Sequence, residues 1–175
     1  SSNAAPQGII CAQTSADFRA IVARGEAHIP PEVRTLLLDI ADGNESAMEG
    51  DVFRMRSKSD AKAMSKWLDL ALFQAAYYNR AGIAEWLINQ GADVNAHPLN
   101  LAFADSSNPG ENETVWPPIE QAADCGNTAT LKVLLAHHAD MYTSLHEPRF
   151  EPGTLLLAIM GRHEGAVEAL LDHGY

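Results

Sequence analysis

Three segments of the 175-residue chain align without a gap, and this repetition limits the possible folds more than any other feature. They are residues 70–96, 117–143 and 153–175. Each contains an alanine followed 16 positions later by a residue that closes a helix; the three pairs are Ala75 with Gly91, Ala122 with His138, and Ala158 with Gly174. The units recur at spacings of 47 and 36 residues, so insertions lie only between units. Equal units of this kind predict a solenoid.

Each unit carries the composition of two short antiparallel helices. Small alanines in the first helix allow close approach, and apolar triplets give the second helix a face for the neighbouring unit. These triplets begin at Trp86, Val133 and Ala169. Asn79 and Gly126 suit a left-handed turn between the helices. Arg162 at the matching position predicts either local strain or a shift of the turn onto Gly161.

The repeated pattern resembles that of the ankyrin-repeat family over about 105 residues, from Leu70 to Tyr175. Gly91 to Asn95 (GADVN) matches the end of the family motif, and His138 to Asp140 is a degenerate copy. Pro118, Gly126 and His163 match its helix-opening proline, its inter-helix glycine and the following histidine. The resemblance implies an all-α solenoid of stacked helix–turn–helix units with short hairpin loops. It also implies a protein–protein interaction module that is not an enzyme.

The region before the repeats also has a helical pattern. Residues 1–14 are interpreted as a tag scar and flexible N-terminus, and residues 15–67 as an N-terminal helical cap or diverged repeat. Within it, helices are predicted from Ser15 to Gly25, from Pro31 to Gly43, and over about 60–67. The repeats then occupy residues 68–175, with an inserted loop at about 97–116.

Charge limits the classes of partner. The formal net charge is −11, and no Lys or Arg lies between Arg80 and Lys132, where seven acidic residues occur. Nucleic acid is therefore an improbable partner, because phosphate binding needs a positive surface. The acidic stretch is either a solvated face that maintains solubility or a surface that attracts a basic protein. No apolar run has the roughly 18 residues needed for membrane insertion.

Catalytic and ligand motifs are lacking. The sequence has no phosphate-binding glycine loop, no G-x-S-x-G and no H-E-x-x-H, so no catalytic residue, cofactor or metal site is predicted. The histidines around His137 are interpreted as helix-end residues. Cys125 is expected to be a buried or half-buried thiol rather than a nucleophile. A disulfide between Cys11 and Cys125 is left open, as is the oligomeric state.

The resemblance implies a binding surface on the concave face, made of the hairpin tips and the exposed side of the first helices, and the acidic insertion is expected to add to it. Adjacent tyrosines offer rigid contact area, and insertions in repeat arrays commonly lie on the binding face. The candidate protein-binding residues are Tyr77, Tyr78, Asn95, Asp105, Glu111, Glu113, Trp116, Asp124 and Met160.

The leading hypothesis is a module that binds a basic partner protein, of the inhibitor or immunity type. The alternative is a structural or protective cell-envelope protein without a single tight partner. The first residues lack an initiator Met, which favours removal of a signal peptide and a periplasmic location. A cytoplasmic location is the alternative.

Overall fold

The computed structural model describes residue 11 and residues 30–98, 116–142 and 153–175, and all its regular elements in these ranges are α-helices. There are eight: α1 (Pro31–Asp42), α2 (Glu45–Arg56), α3 (Ala61–Tyr77), α4 (Ala81–Asn89), α5 (Pro118–Asp124), α6 (Thr128–Ala136), α7 (Thr154–Met160) and α8 (Glu164–Asp172). None of them is long and apolar enough to span a membrane. The expected all-α class is confirmed.

The helices form four consecutive hairpins, termed units 1 to 4. The first helices stack on one another in the order α1, α3, α5, α7, and the second helices α4, α6 and α8 stack in parallel with them. Buried side chains from all four units form one core, which includes Leu36, Leu72, Ile119 and Leu170. No unit could bury its apolar face alone, so the stack is the unit of stability.

The turn between the two helices of each unit has the same backbone geometry. Its left-handed residues are Gly43, Asn79, Gly126 and Arg162, with φ of 75°, 55°, 67° and 58°. The prediction for Asn79 and Gly126 is confirmed. In unit 4 the left-handed residue is Arg162, whereas Gly161 has a φ of −74° and the turn has not shifted. The strain expected for a non-glycine residue is therefore retained.

The same register extends upstream to unit 1. In every unit the amide that follows the left-handed residue donates to a carbonyl five residues earlier; the pairs are Asn44 to Asp39, Arg80 to Ala75, Asn127 to Ala122, and His163 to Ala158. Gly43 precedes Asn79 by 36 positions, the same spacing that separates Gly126 from Arg162. The first hairpin thus shares the turn of the repeats.

The second helices of units 2 to 4 are closed at the residues that the sequence predicted, and the structure adds that these residues are left-handed. Gly91, His138 and Gly174 have φ of 101°, 61° and 90°. Unit 1 differs, because α2 continues to Arg56 and ends at Ser57 without a left-handed residue. This longer helix distinguishes unit 1 from the other three.

The N-terminal region contains a helix that the sequence analysis missed. The helix that begins at Pro31 and is closed by Gly43 is confirmed, but α2 was not predicted because charged residues and Gly50 interrupt its apolar pattern. Asn44 caps it by accepting from the Ala47 amide at 3.3 Å. The helix predicted at 60–67 is the first part of α3, which continues unbroken across residue 68 to Tyr77. The helix predicted from Ser15 to Gly25 lies outside the described residues.

Candidate protein-binding face

Side chains at the start of each second helix fix the first helices in register. Arg80 Nη2 donates to the Ala41 carbonyl at 2.6 Å, and Asn127 Nδ2 donates to the Ala76 and Tyr77 carbonyls at 2.7 and 2.9 Å. In unit 4, His163 Nε2 lies 2.9 Å from the Asp124 carbonyl. Each contact satisfies carbonyls at the end of the preceding first helix, which have no partner within that helix. The C-terminal ends of α3, α5 and α7 are thereby aligned.

This alignment brings three of the predicted binding residues into equivalent positions. Tyr77, Asp124 and Met160 occupy the same register at the ends of α3, α5 and α7. Tyr77 and Asp124 are half-buried, and Met160 is 62% exposed. We term the surface formed by Tyr77, Asp124, Met160 and their neighbours the first-helix face. It offers an aromatic ring, a carboxylate and an apolar side chain in sequence along the stack.

The two adjacent tyrosines have different surroundings. The rings of Tyr77 and Tyr78 meet edge to face, with centroids 5.1 Å apart, and the rings of Phe73 and Tyr77 stack with centroids 6.4 Å apart. Tyr78 packs against the core, so Tyr77 is the more suitable of the pair for contact with a partner. Such aromatic pairs hold the rings rigidly, which limits the entropy lost on binding.

Asp124 lies at the middle of the first-helix face. Partial burial raises its pKa above the ordinary value, and the nearby His163 opposes that rise. A half-buried carboxylate attracts a cationic group of a partner more strongly than a fully solvated carboxylate does, because less water screens the pair.

A disulfide bond lies beside Asp124. Cys11 and Cys125 are bonded, with Cα atoms 5.5 Å apart and 114 positions apart in sequence. Cys125 is half-buried, as expected, but it is a disulfide cysteine rather than a thiol, and the pairing that the sequence left open is present. Both sulfur atoms and a carboxylate oxygen of Asp124 lie within 4.8 Å of one another, but the sulfurs are engaged in the disulfide and are not thiolate ligands. The consequence is structural: Cys11 is fixed to the first-helix face.

Asn95 belongs to a different part of the surface, the loops that follow the second helices. Its side chain accepts from the Asp140 amide at 2.8 Å, and its own amide donates to Asp93 at 2.9 Å. The Asp93 amide in turn donates to the carboxylate of Asp69 at 2.8 Å. Burial raises the pKa of Asp69, the Asp93 amide opposes the rise and the Asp93 charge adds to it. Asn95 is exposed, but its polar groups already connect units 2 and 3.

The acidic insertion is mostly outside the described residues. Asp105, Glu111 and Glu113 all lie there, so their positions remain predictions. Trp116, at the end of the insertion, is half-buried and packs against the core. Glu120, counted in the acidic stretch, is only 2% exposed and does not contribute to a charged surface.

Comparison with known protein families identifies the repeated unit. Residues 69–96, which span the end of α3, all of α4 and the following loop, match the family model described as "Ankyrin repeat". This match is consistent with an ankyrin-repeat family protein. Ankyrin repeats are general protein–protein interaction modules and are typically not enzymes. A search of curated proteins found no match.

The sequence analysis missed two contributors to the first-helix face. His163 was noted only as a motif residue, yet it contacts both Asp124 and Gly126 of the preceding unit. Cys11 was not assigned to the face because a disulfide between distant residues leaves no local signal in the sequence. The presence of two cysteines was the only available indication.

Proposed function

We propose that this ankyrin chain binds a partner protein with a basic surface through its first-helix face. The observation that carries the proposal is the alignment of Tyr77, Asp124 and Met160 at the ends of three stacked helices. Tyrosine and methionine are enriched at protein interfaces, and a half-buried carboxylate between them favours a Lys or Arg on the partner. Asp105, Glu111 and Glu113 in the insertion would add to the attraction.

An inhibitor or immunity-type role is the specific form of this proposal. A strongly acidic protein without catalytic motifs can block a basic partner by covering its surface, and charge attraction would speed the encounter. The disulfide between Cys11 and Cys125 supports a periplasmic or other exported location, because such bonds persist mainly in oxidising compartments.

Affinity capture from the organism that makes the protein tests the proposal. Wild type, Tyr77→Ala and Asp124→Lys would be immobilised, and recovered proteins would be quantified by mass spectrometry. The expected result is one enriched basic protein whose recovery falls at least about tenfold with either variant, as for the loss of an interface hot spot. Glu85→Lys makes the same charge change on the exposed surface of α4 and is the matched control.

Two results would count against the proposal. Equal recovery with Tyr77→Ala, Asp124→Lys and Glu85→Lys would remove the first-helix face as the binding surface. Absence of any stoichiometric partner would favour the alternative, a structural or protective protein of the cell envelope. Circular dichroism of each variant would establish that the fold is retained.

A further inference from the structure

A large part of the positive charge of this acidic chain lies where unit 1 meets unit 2. Residues 54–66 contain five of the twelve Lys and Arg residues and one acidic residue, in a chain with a formal net charge of −11. All five basic side chains are exposed; they are Arg54, Arg56, Lys58, Lys62 and Lys66. This segment is therefore a positive region on a protein that is otherwise strongly acidic.

The arginines of this region are engaged within the protein, whereas the lysines are not. Arg54 forms an ion pair with Asp51, and Arg56 Nη2 donates to the Gln90 carbonyl at 2.9 Å. The ammonium groups of the three lysines make no ion pair or hydrogen bond with another described residue. We term these lysines the lysine patch: Lys58, Lys62 and Lys66.

The lysine patch lies where α3 extends beyond the first helices of the other repeats. In the alignment of the repeats, α3 begins ten residues before the position at which α5 and α7 begin, an extension of about 15 Å. Met64 and Leu68, which are 7 and 4% exposed, pack the inner side of this extension into the core. Lys62 and Lys66 each lie two positions before one of these buried residues. They therefore share the opposite side of the helix, one turn apart.

Acidic groups restrict the size of the region that an anion can occupy. Asp60, the acidic residue within the segment, caps α3 by accepting from the Ala63 amide at 2.7 Å. One turn after Lys66, the carboxylate of Asp69 accepts from the amide of Asp93, which is itself exposed. Charges act over about 8 Å at physiological ionic strength. An extended polyanion such as a nucleic acid or an anionic membrane would therefore also meet repulsion from the surrounding acidic surface. A short anionic segment would not.

An exposed aromatic residue precedes the lysine patch on α2. Phe53 is 78% exposed. It lies one turn before Arg56, which is close to the end of the helix that leads to Lys58. Aromatic side chains are enriched at protein interfaces, where they contact apolar groups. Phe53 therefore favours a polypeptide over a phosphate polymer as the occupant.

We propose that the lysine patch binds a short acidic segment of a partner protein, with an apolar side chain of that segment against Phe53. Lys66 lies eleven positions before Tyr77 on α3, a distance of about 16 Å along the helix. The lysine patch is therefore separate from the first-helix face, and it attracts the opposite charge. Three exposed ammonium groups and one aromatic ring give a weak contact, with a Kd of about 10–100 µM at low salt.

Fluorescence anisotropy with a defined peptide tests the proposal. The probe is a fluorescein-labelled peptide of about ten residues with alternating glutamates and one central tryptophan. It should bind the wild type at low salt and several-fold more weakly at about 150 mM salt. Lys62→Glu combined with Lys66→Glu should weaken binding at least about tenfold. Lys132→Glu combined with Arg162→Glu makes the same change in net charge at exposed positions of units 3 and 4. This matched control should keep most of the wild-type affinity.

A second pair of measurements examines the role of Phe53. Phe53→Ser should weaken binding of the tryptophan peptide several-fold, as expected for the loss of an aromatic contact. It should leave unchanged the weaker binding of a peptide in which serine replaces the tryptophan. Equal effects on the two peptides would remove Phe53 from the site.

Three results would overturn the proposal. The wild type could fail to bind the acidic peptide at low salt. The lysine variant and its control could lose the same affinity, which would show that only net charge matters. Vesicles containing phosphatidylserine, or a single-stranded oligonucleotide, could bind the lysine patch more tightly than the peptide, which would identify a polyanion as the occupant. Circular dichroism of each variant would establish that the helices are retained. None of these results would bear on the first-helix face, which is tested with a different partner and different variants.

Discussion

The imidazole ring of His163 occupies the space where a β-carbon on Gly126 would stand. A side chain at Gly126 would meet Nδ1, Cγ and Cε1 of His163 closer than atoms can approach, and Gly126 also has a φ of 67°. Gly161 is crowded by the same ring. The close contact between units 3 and 4 therefore depends on glycine at both positions, and it orients His163 toward the Asp124 carbonyl.

Replacing Gly126 by alanine should lower the free energy of unfolding by about 2–4 kcal/mol, because left-handed strain is combined with displacement of His163. Gly43→Ala is the matched control, since Gly43 has a similar φ of 75° and the nearest atom to the added carbon is Cζ of the flexible Arg80 side chain, at 3.1 Å. This control should lower the free energy of unfolding by only about 1–2 kcal/mol. Chemical denaturation of both variants provides the measurement. Equal losses in the free energy of unfolding would mean that the close contact with His163 adds nothing to the backbone strain.

Asn127→Ala should destabilise the array, because it removes both hydrogen bonds to the carbonyls of Ala76 and Tyr77. The expected loss is about 1–3 kcal/mol, because each of the two hydrogen bonds contributes about 0.5–1.5 kcal/mol. Asn89→Ala, at an exposed position of α4, is the control and should change stability by less than about 0.5 kcal/mol. Thermal melts that fail to separate the two variants would contradict the register role assigned to Asn127.

Reduction of the Cys11–Cys125 disulfide should lower the melting temperature. The bond joins residues 114 positions apart, and the chain-entropy model assigns a loop of this length about 4–5 kcal/mol, an upper value for most proteins. A decrease of about 5–15 °C is expected with a phosphine reductant. The double variant Cys11→Ser with Cys125→Ser should melt at the lower temperature and should not respond to the reductant. An unchanged melting temperature on reduction would argue that the bond contributes nothing to stability.

Asp39→Asn should stabilise the protein at neutral pH. Burial raises the pKa of Asp39, and its hydrogen bond to Asp51 and the charge of Asp51 raise it further. Because the folded-state pKa is raised, ionisation of Asp39 destabilises the fold above that pKa, and the penalty disappears below the ordinary value of 3.8.

An amide at this position avoids the penalty and can donate to Asp51. The melting temperature should rise by about 1–3 °C at pH 7, since one exposed charge interaction is worth under about 1 kcal/mol. The advantage over wild type should diminish as the pH falls toward 3.8. Glu168→Gln, at an exposed position of α8, is the control. A benefit that is the same at every pH would exclude the ionisation of Asp39 as its cause.

The sequence by itself determined the helical repeat, its 16-residue internal spacing and the left-handed residues Asn79 and Gly126. It also determined the helix-closing residues Gly91, His138 and Gly174. These properties are local: they depend on backbone conformation and on apolar periodicity within one unit. The helix from Pro31 was predictable for the same reason, whereas α2 was not, because its charged residues and Gly50 conceal the apolar positions Met48, Val52 and Met55.

Only the tertiary structure decided which side chains meet between units. The disulfide of Cys11 with Cys125, the burial of Glu120 and the exposure of Leu156 all depend on which surface lies opposite. Glu120 and Leu156 occupy equivalent positions, yet the polar residue is covered and the apolar one is not. Hydrophobicity alone would predict the reverse. The presence or absence of the next unit determines burial here, and one unit's sequence does not specify it.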